Sequence, residues 1–368
     1  MNSITLTLMG DLILDAPNPD HWLSGLAARI GKSDLTIGHL EVPHTLRGVE
    51  SQDDIPAPAA PPEHLHALKR LGIDAVTLAG NHIMDRGPVG AIDTMTELDR
   101  AGIAYCGLGQ NIQEARQPLI MRRGGIRIAL LSYNCVGPES SWATPTRPGC
   151  AFIRITPEGG GPVTPATPLH HLDPLSLQEA ITDIRAARNS SEVLIVALHK
   201  GIVHRPAELA PYEIPLTRAM VDAGADVVIG HHAHIIKGIE IYHGRPIYHG
   251  LGNGCVVTRA LSLSETHPKR AEWARRRREL FGFEPDPRYE LAPFHPEAIH
   301  AFVARLHYYD EKLIPGLLPI HVEPPGRPVA PTPAQARRTL EYLTEITVRA
   351  GLPPVQLLAT PAMVQLRQ

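Results

Sequence analysis

Little in this chain points to a membrane, to nucleic acid or to an oxidising compartment. Its 368 residues include only four cysteines, Cys106, Cys135, Cys150 and Cys255, and none stands in a C-x-x-C pair. A zinc ribbon, an iron–sulfur cluster and a disulfide framework are therefore not expected, and the thiols read as reduced and mostly buried. No apolar run approaches the ~20 residues of a membrane span. The N-terminus lacks a basic n-region and enters a strand directly, so the chain reads as cytoplasmic and unexported. Charge of one sign is scarce as well: a formal net charge of −3 gives no electrostatic basis for binding a nucleic acid or an anionic membrane. The one basic run, 275–278, reads as the solvated face of a helix. Aromatic residues are few, and histidine, at 20, outnumbers 5 Phe, 3 Trp and 9 Tyr taken together.

Imidazole is a metal ligand and a proton carrier near neutral pH, so the positions of the histidines matter more than their number. Short apolar, β-rich runs at 4–9, 35–40, 75–78, 193–198 and 227–229 are each followed by a chemically capable residue. In order these are Asp11, Glu41, Asn81 with His82 and Asp85, His199, and the block Gly230-His231-His232-Ala233-His234. In an α/β protein the carboxyl ends of successive strands converge on one crevice, which predicts a metal-centred site assembled from residues far apart in sequence. His232 and His234 form an H-x-H pair, and in extended backbone residues two apart share a face. Helices are expected near 21–30, 63–71, 89–100, 175–188, 212–223, 268–281 and 332–350. Hairpins are expected at 119–132, 238–251 and 299–322. The segment 136–174, rich in Pro, Gly and Thr, reads as a substrate loop.

Several of these segments together resemble the CapA, or poly-γ-glutamate capsule, family. They are Gly10-Asp11, Leu40-Glu41, Asn81-His82-x-x-Asp85-x-Gly87, His199-x-Gly201, the run from Asp222 to His234, Gly238-Ile-Glu-Ile-Tyr and Leu251-Gly-Asn253. The resemblance implies an α/β calcineurin-like metallophosphoesterase fold: a central β-sandwich flanked by helices, here with C-terminal hairpin and helix additions. On that basis residues 1–258 form the metal-binding core and 259–368 an extension packed on it. The resemblance also implies that Asp11, Glu41, Asn81, His199, His232 and His234 supply the metal or metal-water shell. It makes His82 an acid/base histidine oriented by Asp85. The chain departs from the wider phosphoesterase pattern at Asp11-Leu12-Ile13, where Asp-x-His is usual, and Glu41 replaces a bridging Asp. One divalent ion, Ca, Mn, Mg or Zn, is therefore favoured over two.

Two chemistries suit such a centre. One is hydrolysis of a phosphoester or of a peptide amide, γ-glutamyl amides included. The other is inversion of a Cα stereocentre in a peptide, the reaction of a lasso-peptide biosynthetic relative of this family, and it is ranked first. Epimerisation needs two proton-transfer groups. His82 with Asp85 is one, and Asp11 with His295, in Pro293-Phe-His-Pro296, is the expected second, with Phe294 helping to exclude water. Lys200 and Lys237 read as loop charges or contacts for a substrate carboxylate, and no pyridoxal cofactor is expected. A peptide-binding protein without activity is the remaining alternative. Nothing in the sequence fixes an oligomeric state.

Overall fold

The computed structural model describes residues 3–31, 33–51, 53–54, 57–164, 167–260, 262, 266 and 268–368. Two sheets face each other. The larger runs, strand by strand, Gln356–Ala359, Val364–Arg367, Lys312–Glu323, His300–Tyr309, Ser3–Leu14, Leu35–Leu40, Ala75–Thr77 and Ala104–Cys106. The second runs Ile239–Tyr242, Arg245–Tyr248, Val227–His231, Val193–His199, Ile126–Asn134 and Leu119–Arg123. The strands at 35–40, 193–199 and 227–231 are buried along their whole length, which is why they read as unbroken apolar runs, as strands covered on both faces do.

Alternation within those runs divides the core. Ile4, Leu6 and Leu8 from the first sheet meet Val193, Ile195, Ala197, Val227 and Ile229 from the second in one cluster between the sheets. Leu194, Val196 and Leu198 point the other way, into a cluster shared with Ala180, Ile184, Leu216 and Met220 of the helices Pro174–Arg188 and Glu213–Ala223. The period of two thus supplies both layers of a helix-flanked sandwich, the architecture expected of a calcineurin-like chain. The final helix, Pro333–Arg349, begins with a capping box at Thr332 and Gln335 and sends Leu343 and Ile346 into the inter-sheet cluster.

Residues after 258 belong to the same sheet as the N-terminus: Ser3–Leu14 pairs antiparallel with His300–Tyr309 over Ser3 to Leu8. At Asp11 the strand takes new partners and runs parallel to Asn253–Val257. The switch needs Gly10, because a Cβ there would lie 1.9 Å from the Gly252 carbonyl oxygen. Gly230 does the same beside the His249 carbonyl oxygen, at 2.1 Å. Each glycine lets two backbones touch immediately before a site residue.

Two expectations need correction. The helix at 21–30 is two short ones, Pro19–Ser24 and Ala27–Ile30; between them Gly25 lies where a Cβ would meet the Pro328 carbonyl oxygen at 2.2 Å. The segment 136–174 is no open loop: Trp142, Cys150, Ile153, Ile155 and Val163 are buried in the core, and Trp142 stacks on Phe152 at 4.2 Å. Gly137 and Gly149 turn tightly against this packed surface, where a Cβ would lie 2.4 Å from the Val163 carbonyl oxygen and 2.5 Å from the Ala143 nitrogen, whereas 158–162 are exposed. Among the described residues no helix is long and apolar enough to cross a membrane.

Candidate metal centre

Each sheet contributes a row of three polar residues across its parallel strands, at the strand ends in the second sheet and at the point in the first where Ser3–Leu14 changes partners. In the first sheet Asp11 lies opposite His39 on one side and Asn253 on the other. In the second, His199 lies opposite Asn134 and His231. The rows face each other: the Asp11 carboxylate approaches His231 Nδ1 at 3.1 Å. The His39 ring stacks on that of His231 at 4.5 Å and lies 4.8 Å from that of His199. Beyond the rows, Glu41 Oε1 lies 3.3 Å from His234 Nε2, and the His232 ring lies 4.8 Å from that of His199.

Of the residues expected in the metal shell, Asp11, Glu41, His199, His232 and His234 gather in this cage. His232 and His234 reach it by a different route from the one expected. The strand ends at His231, and both residues take left-handed backbone, φ 88° and 53°, so a coiled turn aims the rings. The two-residue alternation instead unites His39 with Glu41, at the end of their strand. His39 was not anticipated, although its spacing to Glu41 was the available signal. Asn81 is adjacent: its Oδ1 lies 2.6 Å from His199 Nε2 and its Nδ2 donates to Asp54 Oδ2 at 2.6 Å. Asp54, in a loop without periodic pattern, gave no sequence signal.

Burial dominates the electrostatics. It pushes His39 and His231 down to about 3, and it pushes His199 and His232 well below the ordinary range. These four imidazoles are neutral, as ligands must be. Burial likewise raises the Asp11 carboxyl against the pull of His234 and His39. Two histidines behave oppositely. Burial disfavours charge on His82, but Asp85, Asp54 and Glu41 outweigh it and lift the group to about 10. Burial is overcome at His234 by Glu41, Asp11 and Asn253, which lift it to about 9. His82 Nδ1 lies 2.8 Å from Asp85 Oδ2, and Asp85 is itself held by the Ala57 N–H. His234 Nδ1 bonds Asn253 Oδ1 at 2.9 Å, and Phe294 stacks on its ring at 4.7 Å.

The donor set fits a cation. Asp11 Oδ1, both Glu41 oxygens, His39 Nε2, His199 Nδ1, His231 Nε2 and both His232 nitrogens are buried without a hydrogen bond. Buried polar atoms are almost always satisfied, so their accumulation in one place is the mark of a ligand-binding cage. Two groups, Asp11 with His39 and His199, and Asp11 with Glu41 and His234, have all their ligand atoms within 4.8 Å of one another.

His295 lies at the rim. Its Nδ1 accepts from the Glu297 N–H, its ring meets Phe283 edge-on, and with Asn253 and Phe294 it lines a cavity of about 220 Å³. Lys200 and Lys237 are not loop charges: both are 1% exposed. Lys200 bonds Glu213 at 2.5 Å, and Lys237 bonds the carbonyls of Arg205 and Glu208. All four cysteines are buried and unpaired with one another, and burial pushes their thiols up.

Residues 5–256 match the family described as bacterial capsule synthesis protein PGA_cap. The capsule biosynthesis protein CapA of Bacillus anthracis is 25% identical over 68% of this chain and 59% of its own length. The PGA biosynthesis protein CapA of Bacillus subtilis is 28% identical over 65% and 58%. The chain thus spans about three fifths of the length of these curated relatives. A calcineurin-like phosphoesterase of Bacillus subtilis superposes on 94% of this chain and 98% of its own at 11% identity, with a TM-score of 0.37.

Proposed function

The chain belongs to the bacterial capsule synthesis protein family PGA_cap, and from that premise we propose a metal-dependent enzyme that performs acid–base chemistry on a peptide-like substrate, inverting a Cα stereocentre. The observation that carries this reading is the presence of two kinds of proton-transfer group beside one cage of bare ligand atoms. His82 with Asp85 is a charged imidazole–carboxylate couple. His234 bonds Asn253 at 2.9 Å, and His295 lines a cavity with Asn253 and Phe294. Inversion needs one group to remove the α-proton and another to return it, whereas hydrolysis needs one couple and a water. The relatives' names, capsule and PGA biosynthesis, favour an amide-linked substrate.

Asp11, Glu41, His39, His199, His231 and His232 would hold a divalent cation. Such an ion, when bound, neutralises a substrate carboxylate or polarises a carbonyl and so acidifies the neighbouring Cα–H. Asp85 fixes Nδ1 of His82, leaving Nε2 to exchange the proton. Asp11 faces His231 and His234 within the cage while His295 stands at the rim, so His295 rather than an Asp11–His295 couple would be the second proton-transfer group, with Phe294, stacked on His234, limiting water beside it.

Hydrolysis is the second reading, favoured by Asp11 being common to both ligand groups, as a carboxylate between two ions is in two-metal hydrolysis. Incubating candidate peptides in D₂O with and without added metal decides. Deuterium at Cα with unchanged chain length supports epimerisation, and shorter products replace it with hydrolysis. Neither change leaves a binding protein. Elemental analysis of the purified protein identifies the ion.

A further inference from the structure

Lys237 is a buried cation that the proposed chemistry leaves unused. It is 1% exposed and donates to two carbonyls of the loop that follows His199, those of Arg205 and, at 2.8 Å, Glu208. The loop it grips is strained: His204 and Ala207 both take left-handed backbone, φ 56° and 55°, a conformation costly for residues with a Cβ and concentrated at functional sites. The His204 N–H donates to the Ala233 carbonyl at 3.0 Å, which ties the loop to the turn that carries His232 and His234. Further out, the Phe283 ring lies 5.1 Å from that of His204 and 5.0 Å from that of His295, so a single ring separates the loop from the rim histidine.

Arg205 is the residue that this arrangement presents. It is exposed, and its guanidinium makes no hydrogen bond or ion pair among the described residues, Glu208 on the same loop included. Other arginines near the rim are engaged: Arg278 and Arg288 pair with Glu284 and Asp286, and Arg338 shares its cavity with the Glu297 carboxylate. Burial, then the charges of Lys237 and Arg205, hold His295 below its ordinary value, which agrees with a guanidinium on the His295 side of the loop. A guanidinium is a planar fork of donors that matches a carboxylate.

We propose that Arg205 is a substrate-binding residue that takes a carboxylate of the peptide-like substrate beside His295, with Lys237 holding its loop in place. The inference rests on the reading of the cage and its rim as a reaction centre for such a substrate. From the interior Lys237 cannot reach a substrate, but it keeps ordered the loop that does. A loop already ordered loses little freedom when the ligand docks.

The test compares matched peptides on wild type, Arg205→Gln and Arg205→Lys, each loaded with the metal found by elemental analysis. Every candidate peptide is made as the C-terminal acid, as the C-terminal amide, and with its Glu and Asp side chains changed to Gln and Asn. Binding is read by calorimetric titration, and kcat/KM wherever the D₂O incubation shows turnover. Arg205→Gln is expected to weaken the forms that carry the recognised carboxylate roughly 10- to 100-fold, and to leave unchanged the form that lacks it. Arg205→Lys should recover part of the loss, as a point charge without the fork. The form that has lost its sensitivity to Arg205, terminal amide or altered side chains, identifies whether the carboxylate ends the peptide or branches from it. Metal affinity and unfolding midpoint should match wild type, and a drop in either would make Arg205 structural. An equal loss on all forms, or no loss on any, overturns the assignment while binding by wild type keeps the proposed substrate. Wild type that binds none of the forms removes that substrate and the assignment with it.

Discussion

Two groups of buried charge lie next to each other behind the strands that end at His199 and His231, and they are satisfied in opposite ways. Lys200, Glu213 and Lys237 are each 1% exposed, and each has partners: Lys200 bonds Glu213 and the His249 carbonyl, Glu213 also accepts from the Ala210 N–H, and Lys237 bonds two carbonyls. The cage is as deeply buried, yet Glu41, His39, His199, His231 and His232 each keep at least one bare atom. Burial therefore does not mark the site. Unpaired atoms occur elsewhere, on His249 and Glu240 for example, but among the described residues only in the cage do several residues of ligand type gather with bare atoms facing one another: the lysine group holds backbone in place, and the cage keeps its lone pairs for a ligand.

That contrast can be broken in four places. The largest effect is expected at the charged couple of His82 and Asp85. His82→Gln should slow Cα deuterium exchange, or hydrolysis if that is the reaction, by roughly 10²- to 10⁴-fold. Metal affinity should hold, and calorimetric titration checks it; loss of metal with loss of rate would make His82 a ligand instead.

Next, Lys200→Met removes half of a satisfied pair and strands a buried carboxylate, at a cost of about 3–5 kcal/mol in urea unfolding. Adding Glu213→Leu should return part of that loss. If the single variant unfolds like wild type, the lysine group is not the structural one.

Asp11→Asn acts on the unsatisfied side, where burial already disfavours the charge. Without metal its unfolding midpoint should equal or exceed that of wild type. Wild type with a divalent ion at a hundred times its Kd should gain about 2.7 kcal/mol, and the variant should not. A metal-dependent shift retained by Asp11→Asn would remove this residue from the ligand set.

The smallest effect concerns a buried histidine whose partners are complete. His300 bonds Thr339 and lies 3.6 Å from Glu297, and burial, with Arg338 and His321, lowers it to about 4. Its unfolded value is near 6.5, so as pH falls from 6.5 to 4 the unfolded chain takes the proton first, and stability drops through that window and levels below it. His39 and His231, lowered to about 3, steepen the same decline. The quantity to measure is therefore the difference between wild type and His300→Asn in denaturation midpoint against pH, which should be constant above pH 6.5 and move against the wild type as pH falls from 6.5 to 4.

Much of the framework was legible because strands buried on both faces announce themselves. The runs at 35–40 and 193–198 coincide with strands to within a residue. The hairpin turn at Gly124-Gly125 takes left-handed backbone at both glycines, as its sequence implies. The C-terminal hairpin Gln356–Ala359 with Val364–Arg367 was not anticipated. The first of these strands is largely exposed and lacks apolar alternation, so its pairing depends on a neighbour already in place. Asn253–Val257 was hidden for a related reason: it reads as the tail of a hairpin, yet it pairs with Asp11 to Leu14, more than two hundred residues away.

By itself the sequence determined that apolar strands end in carboxylates and imidazoles, with glycine before Asp11 and His231 where backbones must touch. That follows from local rules of alternation and steric access. Which of those imidazoles share a cage was decided by register across strands and by the facing of two sheets. Asp11 lies opposite His39, and His199 opposite His231, because ladders remote in sequence align there. His232 and His234 enter through a left-handed turn, and His295 stays at the rim because the loop that carries it puts the Phe294 ring against His234.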